Sequence, residues 1–98
     1  MNGLTALADP TRQRIVKMLA AGALSSGDIA SRFAMTAPAV SQHLKTLREA
    51  KLVKVRADAQ RRIYELDPEG VMEVAEWVND LRRFWADKLD ALEAELRK

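Results

Sequence analysis

The sequence predicts a mostly α-helical fold with one small β-hairpin and a long helix at its end, on three observations. Apolar residues recur at helical spacing over most of the chain, and the pattern alternates only between Leu52 and Leu66. From Val71 to Leu96 the helical period then runs unbroken. At 98 residues, with no repeat, linker or low-complexity tract, the chain 1–98 reads as a single domain.

The first strong start signal is ADPTRQRIVKMLA, with Asp9 as N-cap and Pro10 as first helical residue. Ile15, Val16 and Leu19 give its buried face, and Gly22 follows its end. A shorter helix begins near Ser26, with Ile29 and Phe33 one turn apart on its inner face, and Ala34 and Met35 make a tight corner. TAPAVSQHLKTL, residues 36–47, then starts another helix. Thr36 can accept from a first-turn N–H, Pro38 falls where N–H groups have no intrahelical partner, and Val40, Leu44 and Leu47 form a stripe facing a core. Two helices joined by a short turn make a helix-turn-helix, here 26–49, with 36–49 as its recognition helix.

After Leu52 the apolar Val53 and Val55 alternate with Lys54 and Arg56, ADAQ supplies a turn, and RRIYEL returns with Ile63, Tyr64 and Leu66. This is a basic hairpin, 52–66. Its tip lacks Asn-Gly or Asp-Gly and is placed near Asp58 to Gln60. A helix-turn-helix followed by such a hairpin is a winged helix-turn-helix.

Asp67-Pro68 repeats the cap-plus-proline device and opens the last helix, 68–96. Val71, Val74, Val78, Leu81, Trp85, Leu89, Leu92 and Leu96 step by a mean of about 3.6 residues. At about 1.5 Å per residue that helix is roughly 43 Å long, more than so small a domain covers. Trp77 and Phe84 widen the apolar face. Part of the stripe is assigned to the chain's own domain and the rest to a partner, an identical subunit first. Whether the helix is continuous or kinked near Asn79 stays open.

Composition removes several classes of function. The chain has no cysteine and one histidine, His43, so thiolate sites, disulfides and imidazole-rich centres are excluded, and no cofactor is expected. No nucleophile with a partnering base and no glycine-rich phosphate loop is present, which argues against an enzyme. Without a signal segment or an apolar run of membrane-spanning length, the expectation is a cytoplasmic protein with no membrane contact. Charge is unevenly spread. Residues 1–66 hold 11 Lys and Arg against 5 Asp and Glu, or +6, and residues 67–98 hold 5 against 9, or −4. A basic body with an acidic tail fits a module that meets a polyanion with one part and a protein with the other.

The recognition helix is suited to double-stranded DNA. The major groove, about 12 Å wide, admits a helix whose leading side chains are slim, as Ala37, Pro38 and Ser41 are. Gln42 can bond bidentately to adenine, and Thr36 or Ala37 could touch a phosphate or a thymine methyl. Lys45 and His43 suit backbone phosphates, although His43 also borders the core. In the hairpin, Lys54, Arg56, Arg61 and Arg62 form a cationic cluster for neighbouring phosphates or the minor groove, unless Arg61 or Arg62 instead holds a carboxylate of the body. Arg12, Arg14 and Arg48 are further phosphate candidates, each equally readable as a solvated charge.

At this point the chain resembles the ArsR-type winged helix-turn-helix transcriptional repressors. The resemblance rests on LADPTRQRIVKML, FAMTAPAVSQHLKTLREAKLV, RRIYELDPEG and RRFWADKLDALEAEL. It implies a homodimer built from the first and last helices, placing Leu4 and Leu7 with Val78, Leu81, Phe84, Trp85, Leu89 and Leu92 at the interface. It also implies two recognition helices in successive major grooves of an inverted repeat, usually in the protein's own promoter. Where thiolate sensors carry Cys-X-Cys at the start of the third helix, this chain reads Ser25-Ser26-Gly27, and the last helix has no histidine. That places it with members lacking the metal site. The release signal stays open between a small molecule near Trp77, Phe84 and Trp85, a protein partner, and no inducer. The competing reading is a protein-interaction module on the same scaffold that does not read DNA.

Overall fold

The computed structural model describes residues 2–97, and four of its five helices start on a side-chain cap. The order is α1 (Asn2–Ala6), α2 (Pro10–Ala20), β1 (Leu24–Ser25), α3 (Ser26–Ala30), α4 (Ala37–Glu49), β2 (Val53–Asp58), β3 (Arg61–Leu66) and α5 (Pro68–Leu96). Asp9, Ser25, Thr36 and Asp67 cap α2 to α5, each accepting from a backbone N–H of the first turn: Arg12 at 2.9 Å, Asp28 at 3.1 Å, Ala39 at 3.2 Å and Glu69 at 3.0 Å. Each satisfies a donor that the helix itself leaves without a partner.

The expected hairpin is one part of a three-stranded antiparallel sheet, ordered β1-β3-β2. Leu24 pairs with Tyr64 and Ser25 with Ile63, so the short strand before α3 closes the free edge of β3. Two residues are too few to show alternation, which is why no strand is expected there. The hairpin tip is the two-residue loop Ala59-Gln60 between the paired Asp58 and Arg61, with Ala59 at φ 57°.

Phe33 needs a correction. It lies beyond α3, which ends at Ala30, and the connection to α4 spans residues 31–36 instead of a two-residue corner. The chain leaves α3 through i to i+3 bonds, Arg32 N–H to Ile29 C=O and Phe33 N–H to Ala30 C=O, which tighten the last turn and end the helix early.

The core gathers Ile15 and Leu19 of α2, Ile29 of α3, Val40, Leu44 and Leu47 of α4, then Leu52, Val53 and Tyr64. Fully burying each large aliphatic side chain contributes about 1.5–3 kcal/mol before cavity effects. Both ends of the recognition helix are thereby fixed to the body.

Its C-terminal end has a further anchor. Leu52 N–H reaches Leu47 C=O and Lys51 N–H reaches Arg48 C=O, both at 3.0 Å, with Lys51 at φ 64°. This is a Schellman cap with lysine where glycine is usual. Lys51 C=O in turn accepts from Gly70 N–H at 2.9 Å, and Asp67 N–H donates to Leu52 C=O. The start of α5 thus sits directly on the end of α4. A Cβ on Gly70 would lie 2.3 Å from the Lys51 carbonyl oxygen, so only glycine permits this approach.

Helix α5 runs unbroken from Pro68 to Leu96. Val71 and Val74 pack against the core, whereas Trp77, Val78, Leu81, Phe84, Trp85, Leu89, Leu92 and Leu96 are exposed. The helix accounts for the elongated shape, 54 × 27 × 21 Å.

Candidate nucleic-acid interface

Burial divides α4 into two faces. Val40, Leu44 and Leu47 are inside, and Thr36, Ala37, Pro38, Ser41, Gln42 and Lys45 are exposed together along the front. Thr36 is partly committed, since its hydroxyl caps the helix through Ala39 N–H. The Ser41, Gln42 and Lys45 side chains remain on the surface for a ligand.

His43 belongs to neither face. It is half-buried against the start of α2, its Nδ1 3.2 Å from Arg12 Nη1 and 3.9 Å from Asp9 Oδ2. A guanidinium only donates, so this contact uses Nδ1 as acceptor. Arg12 also donates from Nε to Ala6 C=O at 2.6 Å, joining the end of α1 to the recognition helix. The Arg12 backbone N–H holds the Asp9 carboxyl below its ordinary range, aided by the charge of the Arg12 guanidinium against the opposing effect of desolvation. Arg14 stacks over the Phe33 ring at 4.5 Å. His43, Arg12 and Arg14 are thus engaged within the domain. The Arg12 and His43 pairing joins residues 31 positions apart, and no local pattern announces it.

The four hairpin cations do not form one cluster. Directly paired residues of antiparallel strands share a face. Val53, Val55, Ala57, Arg62, Tyr64 and Leu66 therefore lie on the face toward the core and α4, and Lys54, Arg56, Asp58, Arg61, Ile63 and Glu65 on the other. On that other face Lys54 is paired with Glu65, Arg56 Nε lies 3.9 Å from Glu65, and Arg61 Nη2 lies 3.5 Å from Asp28 at the start of α3. Arg61 is the hairpin arginine that holds a carboxylate of the body.

Arg62 turns the opposite way. With Ser41, Gln42, Lys45 and Arg48 of α4 and the buried Tyr64, it lines a concavity of about 250 Å³ between recognition helix and hairpin. Sequence spacing singles out Ser41, Gln42, Lys45 and Arg62; it leaves Arg48 undecided and does not suggest Tyr64, a core residue whose edge reaches the cleft. A helix front and a cationic cleft beside it make a surface for a polyanion.

Comparison with known proteins agrees with that geometry. Residues 7–56 match the family described as "Helix-turn-helix domain". An HTH-type transcriptional regulator of Mycobacterium tuberculosis is 48% identical over 84 residues, covering 86% of this chain and 76% of that protein. The transcriptional repressor SdpR of Bacillus subtilis is 31% identical over 77 residues, covering 79% and 86%. A crystal structure described as a "Possible transcriptional regulator for arsenical resistance" superposes with a TM-score of 0.81 at 38% identity, covering 97% of this chain and 96% of that one. The chain belongs to the ArsR family of winged helix-turn-helix transcriptional regulators. It is therefore a DNA-binding regulator and not an enzyme, and α4 with the β2-β3 wing is the part of an ArsR-type fold just described.

Two further features bear on what such a regulator senses. Ser25 is buried and its Oγ caps α3, so the position at which the metal-sensing pattern would need a ligand serves a backbone N–H instead. Among the described residues no group of three or more His, Cys, Asp or Glu side chains could hold a metal ion, and no helix is long and apolar enough to cross a membrane.

Proposed function

We propose that this ArsR-family chain is a cytoplasmic homodimeric repressor that binds an inverted-repeat operator, its own promoter included, and does not respond to metals. One observation carries the dimer. The distal part of α5 presents Trp77, Val78, Leu81, Phe84, Trp85, Leu89 and Leu92 to solvent along one helix, with Phe84 80% exposed. An apolar stripe of that extent is costly to leave in water and marks a protein contact. Leu4 and Leu7 of the half-buried first turn complete the proposed interface, although Leu7 also packs on its own core.

In the proposed complex Gln42 reads a base, Ser41 and the slim Ala37 and Pro38 permit close approach, and Lys45 meets the backbone. The metal-independent reading is supported by the donor set. With no cysteine, a capping Ser25 and one histidine already facing Arg12, the soft or borderline donors that a transition metal needs are lacking.

The test is fluorescence anisotropy on labelled DNA from upstream of the gene, with scrambled DNA as competitor, paired with sedimentation of the free protein. Competitor-resistant binding by two subunits is expected. Gln42→Ala should lower the ratio of specific to scrambled affinity by about 1–3 kcal/mol. An unchanged ratio would remove Gln42 from the base contact, and equal binding to both DNAs beside a stable complex with another protein would favour the interaction-module reading.

A further inference from the structure

The wing carries four cations, and the strand register sorts them into two kinds. We propose that the wing meets DNA with its inner edge alone: Arg62, with Lys45 and Arg48 of α4, forms a seat for the phosphodiester backbone, and Lys54, Arg56 and Arg61 contribute no phosphate contact. The proposal rests on the DNA-binding reading of the same surface and assigns the phosphate contacts within it.

Three observations carry it. The cleft is lined by three cations, Lys45, Arg48 and Arg62, with Ser41 and Gln42 as neutral hydrogen-bonding groups, and no carboxylate is among its lining residues. Such a site attracts an anion and offers the forked donors that match phosphate oxygens. Its walls belong to two elements fixed to one core, since Tyr64 lies between the cleft and the core and is 6% exposed. The backbone positions that carry the three cations are thus set before any ligand arrives, and their exposed side chains reach from a fixed frame. On the other face the cations stand among carboxylates: Arg56 Nε lies 3.9 Å from Glu65, Arg61 Nη2 lies 3.5 Å from Asp28, and Lys54 sits opposite Glu65 in the strand register. A phosphate approaching there meets Asp28, Asp58 and Glu65 as well as the cations. Its attraction is correspondingly cancelled.

Alternation along a strand makes the division strict. Arg61 and Arg62 are neighbours in sequence but point to opposite faces, so one approach direction does not serve both. Arg61 instead ties the wing to the start of α3, which makes it a positioning residue.

Salt dependence separates phosphate contact from positioning. Each phosphate neutralised steepens the fall of log K with log salt by about 0.9, whereas a lost positioning contact lowers K at every salt concentration with little change in slope. The experiment is anisotropy of purified full-length protein on a labelled 30-base-pair mixed-sequence duplex over a range of salt concentrations. Non-specific duplex suffices, because its binding is electrostatic. The double variant R48Q/R62Q is expected to lose about 0.9 or more of slope per bound subunit, R62K to keep the wild-type slope, and R56Q/R61Q to keep it while weakening binding modestly. Thermal melts show that each variant is folded. A slope that falls as much in R56Q/R61Q as in R48Q/R62Q, or one unchanged in R48Q/R62Q, overturns the proposal. A wild-type slope near zero overturns the DNA-binding reading itself.

Discussion

Helices α4 and α5 begin alike and end differently. Both open on a side-chain cap followed by a proline in the first turn, and both carry an apolar stripe at helical spacing. In α4 the whole stripe, Val40, Leu44 and Leu47, is buried in the chain's own core. In α5 only the first turns reach that core, and the stripe continues into water as far as Leu96. A periodic stripe therefore states that a helix face will be covered and is silent about what covers it. Position decides: α4 is enclosed by α2, α3 and the sheet, and α5 outruns them.

Core and distal substitutions should separate accordingly. Leu44→Ala, which empties a fully buried site, is expected to cost about 2–5 kcal/mol in urea unfolding. Leu89→Ala, 46% exposed, should stay within about 0.5 kcal/mol for the dilute monomer and instead shift sedimentation toward the monomer. Equal unfolding costs would erase the distinction between the two stripes.

The junction of the two helices tests the comparison next. Gly70→Ala forces a Cβ against the Lys51 carbonyl and should cost about 1–3 kcal/mol by thermal melting. Gly27→Ala is the control, because its Cβ would touch only Ser25 Oγ at 4.0 Å, and no comparable loss is expected. On the α4 side of the same junction, Lys51→Gly relieves the left-handed backbone and should raise stability by about 1 kcal/mol. A loss instead would mean that the Lys51 side chain contributes more than its backbone strain costs.

The smallest effect belongs to the start of α2. Asp9 has its folded pKa lowered, so its contribution is present above the unfolded carboxylate value and is lost as pH falls through the folded one. Asp9→Asn keeps a capping oxygen and should flatten that part of the acid limb in pH-dependent melts. An acid limb unchanged in the variant would remove Asp9 from the cause.

What the sequence makes legible here is local chemistry. Asp9-Pro10, Thr36 with Pro38, and Asp67-Pro68 each announce a helix start, because the cap and the bond it satisfies lie within a few residues. The slim front of α4 is readable for the same reason. Nonlocal facts are not. Strand β1 exists because β3 offers an edge, and the Leu24 and Ser25 pair carries no period of its own. Arg61 and Arg62 look equivalent until the register is known, and a slip of one residue would exchange their faces. His43 shows the same limit: its position beside Val40 and Leu44 gives two readings, and only the approach of Arg12 from α2 distinguishes them.

The bond from Gly70 N–H to Lys51 C=O has a mechanical consequence. It joins the cap just beyond the recognition helix to the first turn of α5, so the long arm of α5 leaves the body from the α4 terminus in a fixed direction. In the dimer proposed above, whatever covers the Leu89 end of α5 therefore sets how far apart the two recognition helices stand.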